Sequence, residues 1–456
     1  MSLPIPPTLA ARALLTACGA IFCTSGLVGF NVLVPGLGER FGGETASGAE
    51  RMAYGASLSM LASLVLCPVN FLTARAIGAG TLSAPRACLY ASMAGVVGLG
   101  GAGLGVLLEQ YWLSLLSFGL GQGVSLGTSY IALLAVTRAW FAKLGRPGLG
   151  FGLLGAAMGV AAAVFAAAAE LLLRSFGIGE TLVILSVGIG LVTVPSAVLI
   201  PPPPRQARTV GPARPAGGEA PRTLLRSGRF WLFALGLLLA LLPGWGFKLL
   251  VSSLLSARFD TDLETGTKVT TLSLLLYAGS RLAAGWLTDC VPATAMYSAT
   301  LGIQQVLVGL LASMASVGVP EASLEAFSGL QVCITMCFGF LKTLYPLVVG
   351  WIWPNDMIAI GLVAPCFGLA GAIGPAVYLV SLASRGGEEA ALLVLTALQL
   401  LAVVFVSAAM ASRLWIRSGS GSHSPPRATA PEAPKEPEKE GVAGECTAVA
   451  IKVWSV

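Results

Sequence analysis

Charge is what this sequence has least of. Only 11% of its 456 residues are Asp, Glu, Lys or Arg, against about 25% in an ordinary soluble domain. So few charges cannot cover a water-exposed surface, which excludes the soluble multi-domain enzyme that length alone would allow. Histidine is nearly absent: the single one, His423, stands in a polar C-terminal stretch. No histidine base, Ser–His triad or histidine metal site can therefore sit in the apolar part of the chain. There is no Gly-Lys dipeptide, hence no Walker A loop. No Asn-x-Ser/Thr sequon occurs either. Cysteines 18, 23, 67, 88, 333, 337 and 366 lie in apolar runs and read as small hydrophobes. Cys333 and Cys337 are one helical turn apart but have no histidine or further cysteine beside them, so a metal reading is set aside. No disulfide framework, metal or cofactor is expected.

What is abundant is hydrocarbon. The chain is 55% hydrophobic, with mean hydropathy +0.83. Runs of about 20 apolar residues, the length that crosses a bilayer, recur at Ala13–Leu37, Met52–Ala74, Ala87–Leu108, Trp112–Val136, Gly148–Leu173 and Leu182–Ile200. Six more follow a break, at Phe230–Ala257, Gly266–Leu287, Met296–Val317, Phe327–Gly350, Met357–Leu382 and Ala390–Leu414. The expected fold is all-α: a polytopic membrane protein of twelve transmembrane helices in two six-helix pseudo-repeats. Residues 1–200 form the first half and 230–415 the second. The break, 201–229, opens on four prolines and carries six arginines against one glutamate, the composition of a cytoplasmic linker. The tail, 416–456, is rich in Ser, Pro, Glu and Lys and is expected to be disordered.

The few charges are informative because they are sorted. With both termini inside, fourteen Lys and Arg near the spans fall inside and six outside, as the positive-inside rule requires. All 21 acids fall in loops, tails or span ends. Three basic residues remain within spans: Lys248, Arg281 and Lys342. A charge at mid-membrane costs at least about 2.5–3.5 kcal/mol, so it normally faces a polar cavity. Arg281 lies eight residues before Asp289 and Lys342 eight before Gly350, each roughly 12 Å deep at 1.5 Å per residue. Two cations at matched depth with no acid to pair with suggest an anion site. Lys248 lies near the outer end of the seventh span, where snorkelling to the headgroups is its expected fate, although it stays among the candidates.

Polar residues inside spans complete the candidate set: Asn31, Gln122, Tyr130 and Tyr277. Tyr345, Gln304 and Gln305 are weaker cases, since such groups often only bond a neighbouring helix. Trp351 and Trp353 read as interfacial belt residues. Glycine-rich stretches on the fourth, fifth and eleventh spans read as close helix packing. The stretch Gly98-Leu-Gly100-Gly101-Ala-Gly103 matches a dinucleotide fingerprint in letters only, because no soluble strand precedes it.

These segments resemble the major facilitator superfamily over Ala11–Trp415, and within it the monocarboxylate and oxalate/formate branch. The likeness rests on Thr24-Ser-Gly26 through Pro35, Gly119-Leu-Gly121-Gln-Gly123, Ala139-Trp140-Phe141, Arg146-Pro-Gly148-Leu-Gly150-Phe-Gly152, Ser280-Arg281 and Gly285-Trp286-Leu287-Thr288-Asp289. It implies two halves rocking about a central site, with Arg281 where the family binds a substrate carboxylate. The chain also departs from the pattern. Tyr277 stands where proton-coupled members carry Asp. Gly29-Phe30-Asn31 replaces a first-helix lysine. Ala364-Pro365-Cys366 holds no eleventh-helix cation. Lys342 is read as the substitute.

The resulting expectation is a secondary or facilitative transporter of a small organic solute, an anion such as a mono- or dicarboxylate. With no acid or histidine in the membrane, exchange or facilitated flux is expected over proton symport. A neutral or zwitterionic solute, or a transporter-like receptor working through its tail, are the alternatives. The expected partners are the substrate and the lipid bilayer. No nucleic acid is expected, the oligomeric state is expected to be monomeric, and no enzyme chemistry is anticipated.

Overall fold

The computed structural model describes residues 7–43, 46–141, 144–201, 221–259, 261–316, 324–353, 357–383 and 387–419. Among these residues the regular structure is helical, without strands. Twelve long rods correspond to the twelve apolar runs and differ from them mainly at their ends. They are α1 (7–42), α2 (Gly48–Gly78), α3 (Ala84–Leu107), α4 (Tyr111–Phe141), α5 (Pro147–Leu173), α6 (Ile178–Val198), α7 (Gly228–Phe259), α8 (Leu263–Leu287), α9 (Ala293–Ser316), α10 (Leu324–Ile352), α11 (Met357–Val363 and Pro365–Ala383) and α12 (Gly387–Gly419). Eleven are long and apolar enough to span a membrane on composition alone. The exception is α8, whose run carries Lys268, Arg281 and the hydroxyls of Thr265, Thr267, Thr270 and Thr271. Within the break, Pro221–Arg226 is a short helix. Residues 202–220 and the tail from 420 lie outside the described residues.

Local sequence explains the irregular rods. In α1, residues Ile21–Thr24 and Phe30–Leu33 tighten into 3₁₀ turns. Thr24 and Ser25 turn their hydroxyls back onto the carbonyls of Ile21 and Phe22, at 2.7 and 2.6 Å, which competes with the α-helical ladder. Pro35 has no N–H to offer the carbonyl of Asn31, and the N–H of Val34 takes that carbonyl instead. Pro243 in α7, Pro346 in α10 and Pro375 in α11 remove further ladder bonds. Pro346 leaves the carbonyl of Lys342 without its helical donor.

Small residues set the packing. Gly98 of α3 meets Gly121 of α4, and Gly95, Gly101 and Gly105 face Ser125, Ser117 and Ser114. The fingerprint-like stretch is thus a helix contact. The first six helices meet the last six along two seams, α5 on α8 and α2 on α11. At α5/α8 the contact is nearly backbone to backbone: a β-carbon on Gly152 would stand 2.9 Å from the Cα of Gly285. At α2/α11, Gly368 rests on Ser63 and Cys67, and Gly361 on Ala74.

Alternating rods put Pro7 and Gly419 at one end, the termini side. There Asp289, just past α8, accepts from the N–H groups of Gly148 (3.2 Å) and Leu149 (3.3 Å) at the start of α5. These are orphan helix donors that a carboxylate suits. Burial nonetheless raises the Asp289 pKa above the usual carboxylate value, outweighing the two donors. At the far side Arg174 pairs with Glu264 across the same seam at 3.0 Å, flanked by Glu170 and Lys268. These groups are half-exposed, so the pairs are individually weak.

Candidate functional site

The three membrane cations converge where α7, α8 and α10 face α5. Arg281, Lys248 and Lys342 are 2%, 3% and 4% exposed. Arg281 is fixed from several directions. Its Nε donates to Thr343 Oγ1 of α10 at 3.1 Å, and its Nη1 to Tyr277 Oη, one turn earlier on α8, at 3.3 Å. Nη1 also lies 3.4 Å from the sulfur of Met158 on α5. Gly155 of α5 lies against the guanidinium, and a β-carbon there would collide with it. The arginine is therefore clamped by neutral groups and keeps its charge for something else.

The lysines rest on aromatic faces. Lys342 Nζ stands 4.8 Å from the Trp245 centroid and 5.4 Å from those of Phe338 and Phe367. Lys248 Nζ stands 4.1 Å from the Tyr277 centroid, 5.7 Å from Trp245 and 5.9 Å from Phe338. Ring quadrupoles partly replace the missing counter-charges. Tyr277 stacks on Phe338 at 5.9 Å, and Trp245 meets Phe338 edge-on at 5.6 Å. Among the described residues the buried charges are these three cations and no carboxylate.

Beside Lys342 lies a small cavity of about 20 Å³, bounded by Asn70, Tyr130, Met158, Trp245 and Phe367. Its polar atoms are unsatisfied: Asn70 Oδ1, Tyr130 Oη and Trp245 Nε1 have no hydrogen-bond partner. Tyr345, whose ring packs 4.4 Å from Phe367, also has an unpartnered hydroxyl. Orphan polar atoms in a membrane interior are costly, and one indole N–H, one phenol and an ammonium around this space make a set suited to an anion's oxygens.

The sequence candidates divide clearly. Arg281, Tyr277, Lys342 and Tyr130 come together. Asn31 lies higher on α1, where its Nδ2 donates to Thr270 Oγ1 of α8 at 3.3 Å. Gln122 is elsewhere: its Nε2 donates to the Gly95 carbonyl at 2.9 Å and its amide packs on Gly26. It ties α1, α3 and α4 and meets none of the cations. Lys248 does not snorkel as expected. The bulky rings of Trp245, Tyr277 and Phe338 hold its ammonium inside the bundle. Trp353 is buried against Phe230 and Phe233, 6.0 and 6.3 Å away, instead of lining an interface. Sequence reasoning missed Asn70, Met158 and Trp245. The usable signal was a tryptophan two residues after Pro243 in mid-span, far from any interfacial belt.

No protein-family model matches the sequence, and no curated protein matches it. Solved structures do. The human organic anion transporter MFSD10 (TETRAN) superposes with a TM-score of 0.62 at 16% identity, covering 88% of this chain and 100% of that one. A bacterial homologue of the iron transporter ferroportin, in an outward-facing state, gives 0.58 at 15%, covering 88% and 99%. The E. coli fucose:proton symporter FucP gives 0.56 at 15%, covering 88% and 98%, and another FucP structure is described as a major facilitator superfamily transporter. This chain has the major facilitator fold. At such identities the likeness speaks for the architecture alone, and the cargoes named are those of the other proteins.

Proposed function

We propose that the protein is a secondary transporter of a small organic anion that works by alternating access. The observation carrying this reading is the space that Lys342 lines, with the buried Arg281 guanidinium against Met158 in its wall. It holds orphan donors from Trp245 and Tyr130, and has no buried carboxylate around it among the described residues. A carboxylate would take the guanidinium as a fork partner, Lys342 as a point charge, and the indole N–H as a directional donor. Contacts between the halves at both ends, at Asp289 and at Arg174, suit a closed intermediate of such a cycle. The name of the human structural neighbour, an organic anion transporter, agrees with this chemistry. The resemblance to the monocarboxylate and oxalate/formate branch, a cytoplasmic location for both termini, and a monomeric carrier are parts of the same proposal. Without an acid or histidine beside the cations, we assign exchange or facilitated flux over proton symport.

Proteoliposomes carrying the purified full-length protein test this. Labelled small carboxylates should be taken up without acidifying the interior in step. Arg281→Ala should abolish uptake while the protein still inserts and remains monodisperse in detergent. Unchanged flux in that variant, or uptake confined to neutral sugars, would overturn the anion reading.

A further inference from the structure

Lys248 is not part of the cavity that Lys342 lines. It borders a second, water-sized one of about 10 Å³, bounded also by Asn31, Thr270, Ser273, Gln331 and Thr335. The two cavities share no bounding residue. Lys248 Nζ is fully enclosed and has no hydrogen-bond partner, and neither has the Oε1 of Gln331. The hydroxyls of Ser273 and Thr335 donate to carbonyls of their own helices, those of Val269 and Gln331. They therefore turn only lone pairs toward the space. Thr270 Oγ1 accepts from Asn31 and keeps its own proton to give. The space thus faces an ammonium that nothing in the protein satisfies, a free hydroxyl proton on Thr270, and the acceptor oxygens of Gln331, Ser273 and Thr335.

This second cavity lies one aromatic layer from the first. The two ammonium groups stand 4.8 and 5.7 Å from the same Trp245 centroid. Tyr277 takes Lys248 on its ring face and Arg281 at its hydroxyl. A single carboxylate shared by Arg281 and Lys342 would leave Lys248 without a counter-charge in the membrane interior. A second negative charge, joined to the first by a short chain running along the rings, would reach Lys248.

We propose, resting on the anion reading above, that the transported species is a short dicarboxylate: one carboxylate on Arg281 and Lys342, the other on Lys248 and Thr270. Trp245, set between Gly244 and Gly246 after the ladder gap at Pro243, is the ring along which the connecting chain runs. The monocarboxylate of the same length binds through the first site alone.

The test compares succinate and glutarate with their monomethyl esters, by competition in proteoliposome uptake and by thermal shift of the full-length protein. The wild type should hold each diacid at least tenfold tighter than its ester. Lys248→Met, which replaces the unpaired charge by an apolar chain of similar length and should fold, is expected to bring that ratio to about one with ester affinity unchanged. Thr270→Val should lower the ratio severalfold, again without touching the ester. A wild-type ratio near one, or equal losses for diacid and ester in Lys248→Met, overturns the proposal. So does stabilisation by chloride that vanishes in Lys248→Met, since the pocket would then serve a free inorganic anion. If neither diacids nor esters bind at all, the anion reading itself fails. If esters bind as well as diacids, only the second subsite does.

Discussion

The two halves of the chain treat polarity in opposite ways. In α1–α6 the buried polar groups are all neutral and several are spent on packing, while Asn70 Oδ1 and Tyr130 Oη stay unpartnered. Gln122 bonds the Gly95 carbonyl, Ser114 the Ala102 carbonyl, and Ser125 the Cys23 carbonyl at 3.4 Å. In α7–α12 they are held back. Lys248 and Trp245 Nε1 have no hydrogen-bond partner, Lys342 rests on rings, and Arg281 touches only neutral groups. The last six helices therefore supply the charge. The first six supply the surface that closes over it, through Asn70, Tyr130, Gly155 and Met158. The pseudo-repeat is symmetric in helix count but not in chemistry.

Substitutions can sharpen this contrast. The largest effect after loss of Arg281 is expected at Gly155, on the covering half. Gly155→Val places two methyl groups where the guanidinium lies, so anion binding should fall by roughly a hundredfold, about 2.7 kcal/mol, within the range for disturbing a buried charge pair. Equilibrium binding by scintillation proximity would show it; unaltered affinity would mean that Arg281 is not the anchor. Trp245→Phe keeps the ring under both lysines and removes only the N–H. Affinity should fall by about tenfold, in keeping with the loss of one bond to a charged group, and a smaller change would place the anion away from the indole. Gln122→Leu should leave affinity unchanged and cost about 0.6 kcal/mol of stability, the average for an interhelical bond in a membrane, measured by unfolding in mixed micelles. Weaker anion binding in Gln122→Leu would blur the division between the halves.

Hydropathy made the fold readable, because a bilayer permits little besides helices of sufficient length. Even α8, too polar to qualify on composition, was recoverable from its place among the other runs. The site was legible only where charge was out of place. Arg281 and Lys342 stood out against an empty background, and their matched depth agrees with the Arg281 to Thr343 bond beside Lys342. Lys248 was misjudged because span position says how far a side chain can reach, not which rings surround it. Trp245 and Asn70 were invisible for a related reason. An unsatisfied indole or amide is a property of neighbours brought from other helices, and no single run of sequence records it.

The glycine seam between α5 and α8 bears on how such a bundle would open. The surfaces in contact there are carbonyl oxygens and Cα atoms: Gly285 would set a β-carbon 2.5 Å from the Gly148 carbonyl, and Gly152 faces the Leu282 carbonyl. Parting them would wet peptide dipoles more than hydrocarbon, and water solvates peptide dipoles well. The termini side thus resembles a lubricated bearing more than a clasp. The polar contact across it is the pair of N–H groups on Asp289.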